Sequence, residues 1–547
     1  MRQMGKKGIG VLLTAAMMAC LLSGCGGRTE AQTGENSTAQ QEHREREASE
    51  GTRDSVIVAM GVTSEPEAGF DPAYGWGAGE HVHEPLIQST LTVTTTDLQI
   101  GYDLATNMEV SPDGMTWTVT IRDGVKFTDQ EPLTAEDVAF TYNTVKEISS
   151  VNDFTMLDRA EALDESTVVF HMTKPYSIWP YTMAIVGIVP EHAYGPDYGQ
   201  KPIGSGRYML KQWDKGQQVI LEANPDYYGE APQMQRVTIL FMEEDAAFAA
   251  VKAGQVDLAY TAASYGDQSI EGYDLLSFET VDNRGFNLPA VEPEERDGGT
   301  VGNAFTSQVE VRRAINIGLD RQEMLENVLN GHGTPAYSVC DKMPWYNPDS
   351  QVEFDREGAK EILEQAGWKV GADGIREKDG VRAAFTLLYP ASDSVRQALA
   401  ADTGNQLREL GIEVTIEGVG WDTAYTRAQS EPLMWGWGAH TPMELYNIYH
   451  TLDGSAEYSP YANSLVDRYM DEALAASDLE ESYELWQKAQ WDGTGGITQE
   501  GDIPWIWLVN IDHLYWSRQG LQVAEQKLHP HGHGWSIVNN VDQWSWE

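Results

Sequence analysis

Residues 395–416 read VRQALAADTGNQLRELGIEVTI. The span from Val395 to Leu410 predicts a helix that Gly411 closes, after which Ile412, Val414 and Ile416 alternate as a strand. Helix, glycine, strand is one α/β unit. The same alternation recurs on either side of it. Trp117, Val119 and Ile121 interleave with Thr116, Thr118 and Thr120, the period-two pattern of a half-buried strand. Thr134 and Asp137 then form a capping box for a helix whose Val138, Tyr142 and Val145 share one face. Gln308 to Asn330 predicts a single helix ended by Gly331. Ala359, Ile362, Leu363 and Ala366 stripe another that Gly367 stops. No segment repeats at the period of about 20 to 50 residues that marks solenoids and propellers.

At 547 residues the chain exceeds what one hydrophobic core supports, so roughly three domains or lobes are expected. A 41% hydrophobic and 10% aromatic composition excludes a mainly disordered protein, and a mean hydropathy of -0.41 excludes a polytopic membrane protein. The net charge of -47 repels phosphate backbones, so no nucleic-acid partner is expected.

The amino terminus reads as an address. Arg2, Lys6 and Lys7 precede an apolar stretch, Gly8 to Leu22, too short for an ordinary membrane span, which predicts a signal peptide over 1–24. Leu22-Ser23-Gly24-Cys25 resembles the bacterial lipobox, which implies lipidation of Cys25 and anchoring at the outer face of a bacterial membrane, toward the periplasm or cell exterior. Residues 25–54 are polar and lack aliphatic periodicity, as expected of a lipidated, disordered tether reaching roughly 30 Å. With Cys20 removed and Cys25 lipidated, Cys340 has no intrachain partner, so the body stands without disulfides.

Several blocks carry a resemblance. They are Asp103-Leu104-Ala105, Val110-Ser111-Pro112-Asp113-Gly114, Ile121-Arg122-Asp123-Gly124-Val125-Lys126-Phe127, Leu133-Thr134-Ala135-Glu136-Asp137-Val138 and Ala223-Asn224-Pro225-Asp226-Tyr227-Tyr228. In order and spacing the chain resembles solute-binding protein family 5, the peptide/nickel class that delivers ligands to ABC importers. The resemblance implies an α/β, two-lobed periplasmic-binding-protein-like fold of type II, closing about a hinge. It implies a first lobe from 55–287 and 502–547, with an inserted subdomain at about 85–200, and a second lobe from 288–501. Gly285-Phe286-Asn287 would be one hinge crossing. ABC permease subunits are the implied partners, and a monomer is expected.

The ligand is read from the loop Trp435-Gly436-Trp437-Gly438-Ala439-His440. Peptide-binding relatives typically place an aspartate there for the peptide's ammonium; this chain has none at the matching place, and His440 sits near it. A buried carboxylate compensates an ammonium in a way that neutral imidazole cannot. The position looks like the nickel and opine-metallophore branch, which implies a nickel or other transition-metal chelate as cargo, with no intrinsic cofactor. His440 is the candidate metal contact, with His81 and His83 beside it. Trp76, Tyr425, Trp435, Trp437, Tyr446 and Asn447 are expected to line the cleft, and Arg207 to fork a ligand carboxylate. His529-Pro530-His531-Gly532-His533 is dense enough to chelate, although glycines between histidines favour a turn. A di- or oligopeptide ligand is the alternative.

A secreted hydrolase is the remote alternative. His83-Glu84-Pro85 lacks the second histidine of a zincin pair, and Gly204-Ser205-Gly206 lacks the glycine spacing of a nucleophile elbow. No enzymatic function is expected.

Overall fold

The computed structural model describes residues 53–74, 83–149, 154–296, 299–452, 454–498, 500–532 and 534–547. The signal peptide, Cys25 and most of the tether lie outside the described residues, as do Trp76, His81 and His533.

The expected local units form where the patterns predict them. Ser394–Glu409 is a helix, Gly411 takes a φ of 81° at its end, and Glu413–Val419 follows as a strand parallel to Ala384–Pro390. Glycine serves there because a Cβ resists positive φ. Ala135–Ile148 is a helix whose Asp137 carboxylate accepts the Thr134 N–H at 2.9 Å. The single helix expected over Gln308 to Asn330 is instead two, Val309–Gly318 and Arg321–Leu329. The break has a chemical cause: the Asp320 side chain accepts the Glu323 N–H at 3.0 Å and starts a new helix.

Two large sheets organise the body. The first has seven strands in the order Tyr273–Phe278, His513–Arg518, Leu258–Thr261, Ser55–Gly61, Arg236–Met242, Gln218–Ala223 and Tyr208–Asp214. Ser55–Gly61 is parallel to both its neighbours, and the other pairings are antiparallel. The second orders Gly333–Pro335, Trp505–Ile511, Asn283–Asn287 and Met434–Trp437. A parallel bridge from Leu433 to Leu388 joins it to the Ala384–Pro390 pair. A separate antiparallel sheet, built from Ala105–Val110, Thr116–Ile121, Thr167–Met172 and Leu157–Ala162, packs against the helix Ala135–Ile148.

The chain passes from the first large sheet to the second between Phe278 and Asn283, and returns between Ile511 and His513. This corrects the crossing expected at Gly285-Phe286-Asn287, which is fully buried inside the second sheet. Gly285 is there for close packing: a Cβ would meet the Ile506 carbonyl at 2.5 Å and the Trp507 ring at 2.7 Å. The segment after the smaller sheet touches helices that follow the second large sheet's Met434–Trp437 strand. Ser177 donates from its N–H to the Leu474 carbonyl at 2.8 Å and from Oγ to Ala473 at 2.7 Å, and Tyr181 OH bonds Tyr483 OH.

Candidate ligand-binding site

Two buried asparagines on the strand Asn283–Asn287 place the aromatic strand beside it. Asn287 Oδ1 accepts from Leu433 N at 2.8 Å and from Trp435 Nε1 at 3.2 Å, while its Nδ2 donates to Ala428 at 2.9 Å. Asn283 Oδ1 accepts from Trp437 N at 3.2 Å. Alternation then sends Trp435 and Trp437 to one face and Gly436 to the other. Tyr425, on the helix Trp421–Arg427, and Tyr458 flank Trp435 with ring centroids 5.4 and 5.6 Å away. Together with Ala428, Gln429 and Glu457 these rings enclose a concavity of about 310 Å³. Tyr425 is 45% exposed within it. Glu457 and Tyr458 had no sequence signal beyond an acidic residue next to an aromatic one.

The loop bearing His440 is tied to the C-terminal segment. His531 donates its N–H to the Gly438 carbonyl at 2.6 Å, and His440 Nε2 donates to the Leu528 carbonyl at 2.7 Å. Gly438, at φ 136°, has no room for a Cβ beside the Val281 carbonyl. Burial first, and then the Lys527 ammonium, lower the His440 imidazole to about 4, so it is neutral with its lone pair on Nδ1. Behind the loop, Glu444 accepts the N–H groups of Gly438 and Ala439 at 2.9 and 3.0 Å. Burial nevertheless pushes its carboxyl up to about 7.

The histidines near the two chain crossings form a hydrogen-bonded relay. Asp282 Oδ1 bonds Arg284 and His531, and its Oδ2 lies 3.2 Å from His513 Nε2. Burial opposes the Asp282 charge. Arg284, then His531 and His513, outweigh it and hold the carboxyl well below the usual carboxylate range. His513 Nδ1 meets His529 Nδ1 at 3.2 Å, and His529 Nε2 meets Gln526 Oε1 at 3.2 Å. The donor order follows from Trp544, whose indole can only donate. It donates to Asn540 Oδ1, which also accepts Gln526 Nε2 at 2.7 Å. Gln526 Oε1 is therefore an acceptor, and His529 holds its proton on Nε2. His513 lies between the His529 imidazole and the Asp282 carboxylate.

The remaining expected residues are dispersed. Tyr446 is buried and stacks on His450 at 4.1 Å. Asn447 is on the exposed side of the helix Met443–Tyr449. His83 is buried against Gly532. Arg207 pairs with Asp542 at 2.7 Å in a second cavity, of about 510 Å³, whose lining includes Gln88, Asp103, Tyr227, Lys527 and Asn540. Of the expected cleft residues the aromatic concavity holds Tyr425 and Trp435. No group of three or more His, Cys, Asp or Glu disposed to hold a metal ion occurs among the described residues.

The sequence profile of the bacterial extracellular solute-binding proteins, family 5 Middle, matches residues 99–459. The chain belongs to this family. Protein XP55 of Streptomyces lividans is 33% identical over 85% of each chain. The oligopeptide-binding protein AppA of Bacillus subtilis is 29% identical, covering 77% of this chain and 81% of its own. The nickel-binding periplasmic protein of Escherichia coli is 24% identical over 74% and 80%. Among solved structures, Bacillus subtilis AppA in complex with a nonapeptide aligns at a TM-score of 0.66 and 25% identity, covering 91% of this chain and all of that one. Campylobacter jejuni NikZ in complex with Ni(L-His) aligns at 0.71 and 24%, covering 90% and 99%. The family fold is two-lobed, and this family 5 member is an extracytoplasmic solute-binding protein of an ABC importer and not an enzyme.

Proposed function

We propose that this family 5 protein captures a peptide between its lobes for delivery to an ABC permease. The observation that carries the reading is the aromatic concavity of Tyr425, Trp435 and Tyr458 with Glu457 beside it, a recess of rings and polar groups suited to a side chain or terminus of a peptide. The similarity to the oligopeptide-binding AppA supports it. The aspartate that peptide-binding relatives carry is absent, and Glu457 supplies a carboxylate from a different loop.

One observation favours the second reading, a nickel or other transition-metal chelate as cargo. His440 Nε2 is held by the Leu528 carbonyl and Nδ1 keeps the lone pair, the arrangement in which a backbone group orients a metal-ligating imidazole. Thermal unfolding separates the two. A peptide library is expected to raise the melting temperature with the logarithm of excess ligand, and nickel with free histidine to leave it unchanged. A rise with nickel–histidine that His440→Ala abolishes, with no response to peptides, would establish the chelate instead.

We further propose that the exported chain is anchored through acylated Cys25. Cys25→Ala is expected to release the protein from the membrane fraction into the soluble one. Retention of that variant in the membrane fraction would contradict the anchor.

A further inference from the structure

We infer that the pocket of Tyr425, Trp435 and Tyr458 is a subsite for an organic cation, an ammonium or guanidinium group carried by the ligand. The inference deepens the peptide reading in naming what the peptide presents there, and rests on that reading for the identity of the cation's carrier. The pocket's own chemistry is independent of it.

Two of the rings stand steeply to the third. Tyr425 stands at 64° and Tyr458 at 75° to the Trp435 plane, so both rise as walls from the indole. Trp437, 4.8 Å from Tyr458 and at 67° to it but tilted only 31° from Trp435, continues the indole floor. The faces of such rings carry the negative lobe of the aromatic quadrupole, which attracts a desolvated cation and is indifferent to a neutral group of the same shape. Gln429 Nε2 donates to the Glu457 backbone carbonyl at 3.0 Å and fixes the loop, and the exposed Glu457 is itself one of the lining residues.

The nearby positive charges are already neutralised or turned away. No lysine, arginine or histidine is among the six lining residues. Arg427, on the same helix as Tyr425, forks onto Glu417 at 2.7 and 2.8 Å and also bonds Glu431. Arg396 pairs with Asp393 and lies over the Trp421 ring, outside the six lining residues. A chain of net charge -47 adds a long-range field that draws cations toward such a pocket.

The test uses choline and its neutral isostere 3,3-dimethyl-1-butanol, titrated into the mature protein and followed by tryptophan fluorescence and calorimetry. Choline is expected to bind at least about tenfold more tightly than the isostere. Tyr458→Leu should weaken choline binding about tenfold and Glu457→Gln several-fold. Tyr458→Phe, which keeps the ring face, should stay within about twofold. Equal binding of the isostere, no binding of choline, or binding indifferent to Tyr458→Leu and Glu457→Gln would overturn the inference. A matched peptide pair bearing lysine or norleucine separates this failure from that of the peptide reading. Peptides bound without preference for lysine, with choline inert, would remove the cation subsite and leave a peptide receptor. Choline bound as expected, with no peptide bound, would keep the subsite and remove the peptide.

Discussion

Asp282→Ala is expected to lower folding stability by about 3–5 kcal/mol, the range for removing one partner of a buried ion pair. Its carboxylate is the shared acceptor of Arg284, His531 and His513 at the chain crossings, and the side chains of Asp282 and Arg284 are only 7% and 11% exposed. Without it Arg284 remains buried beside Arg396, with the Asn283 carbonyl, the His531 ring and the more distant Asp393 to offset its charge. Urea unfolding at neutral pH measures the loss. The double variant Asp282→Leu with Arg284→Met should cost less than Asp282→Ala alone, because it removes the stranded charge together with its partner. A single variant within about 1 kcal/mol of the parent would show that the cluster does not hold the crossings.

His440 and Glu444 should give the loop between them opposite pH responses. In the folded protein His440 binds its proton only near about 4, against 6.5 for the free imidazole, so between those values the unfolded chain holds the extra proton and stability rises with pH. Glu444 keeps its proton up to about 7, against 4.5 when unfolded, so there the folded chain holds the extra proton and stability falls as pH rises. Each slope is about 1.4 kcal/mol per pH unit, and the two oppose each other between pH 4.5 and 6.5. Relative to the parent, Glu444→Gln is therefore expected to gain about 3 kcal/mol as pH rises from 4.5 to 7, and His440→Asn to lose about 3 kcal/mol from 4 to 6.5. Unfolding curves at half-unit pH steps check both signs. Parallel curves for parent and variants would contradict the burial assigned to this loop.

The elements whose signals are local were legible in the sequence, and those decided by distant partners were not. Gly411 and Gly367 end helices as glycine at positive φ does, and the Thr134–Asp137 cap forms from residues three apart. The division of Gln308 to Asn330 was hidden because Asp320 sits in a periodic run whose apolar face continues across it. The crossing was misplaced because it was carried over from the family resemblance, whereas Gly285 is required by the approach of Ile506 and Trp507, more than 200 residues away. His529 and His531 read as a chelating run, yet their rings are committed to His513, Gln526 and Asp282. Asp282 itself left a usable trace: an aspartate two residues before an arginine in a strand that is otherwise buried implies a paired charge. Of the aromatic concavity, the sequence pointed to Tyr425 and Trp435. Glu457 and Tyr458 come from a separate loop that only the fold brings alongside.

Native mass spectrometry of the mature protein, purified gently from its source without added ligand, tests the central claim most directly. A population heavier than the bare chain by peptide masses, released on mild activation and sequenced by fragmentation, is expected. A single added mass with the isotope pattern of nickel or another transition metal, and no peptide, would contradict it.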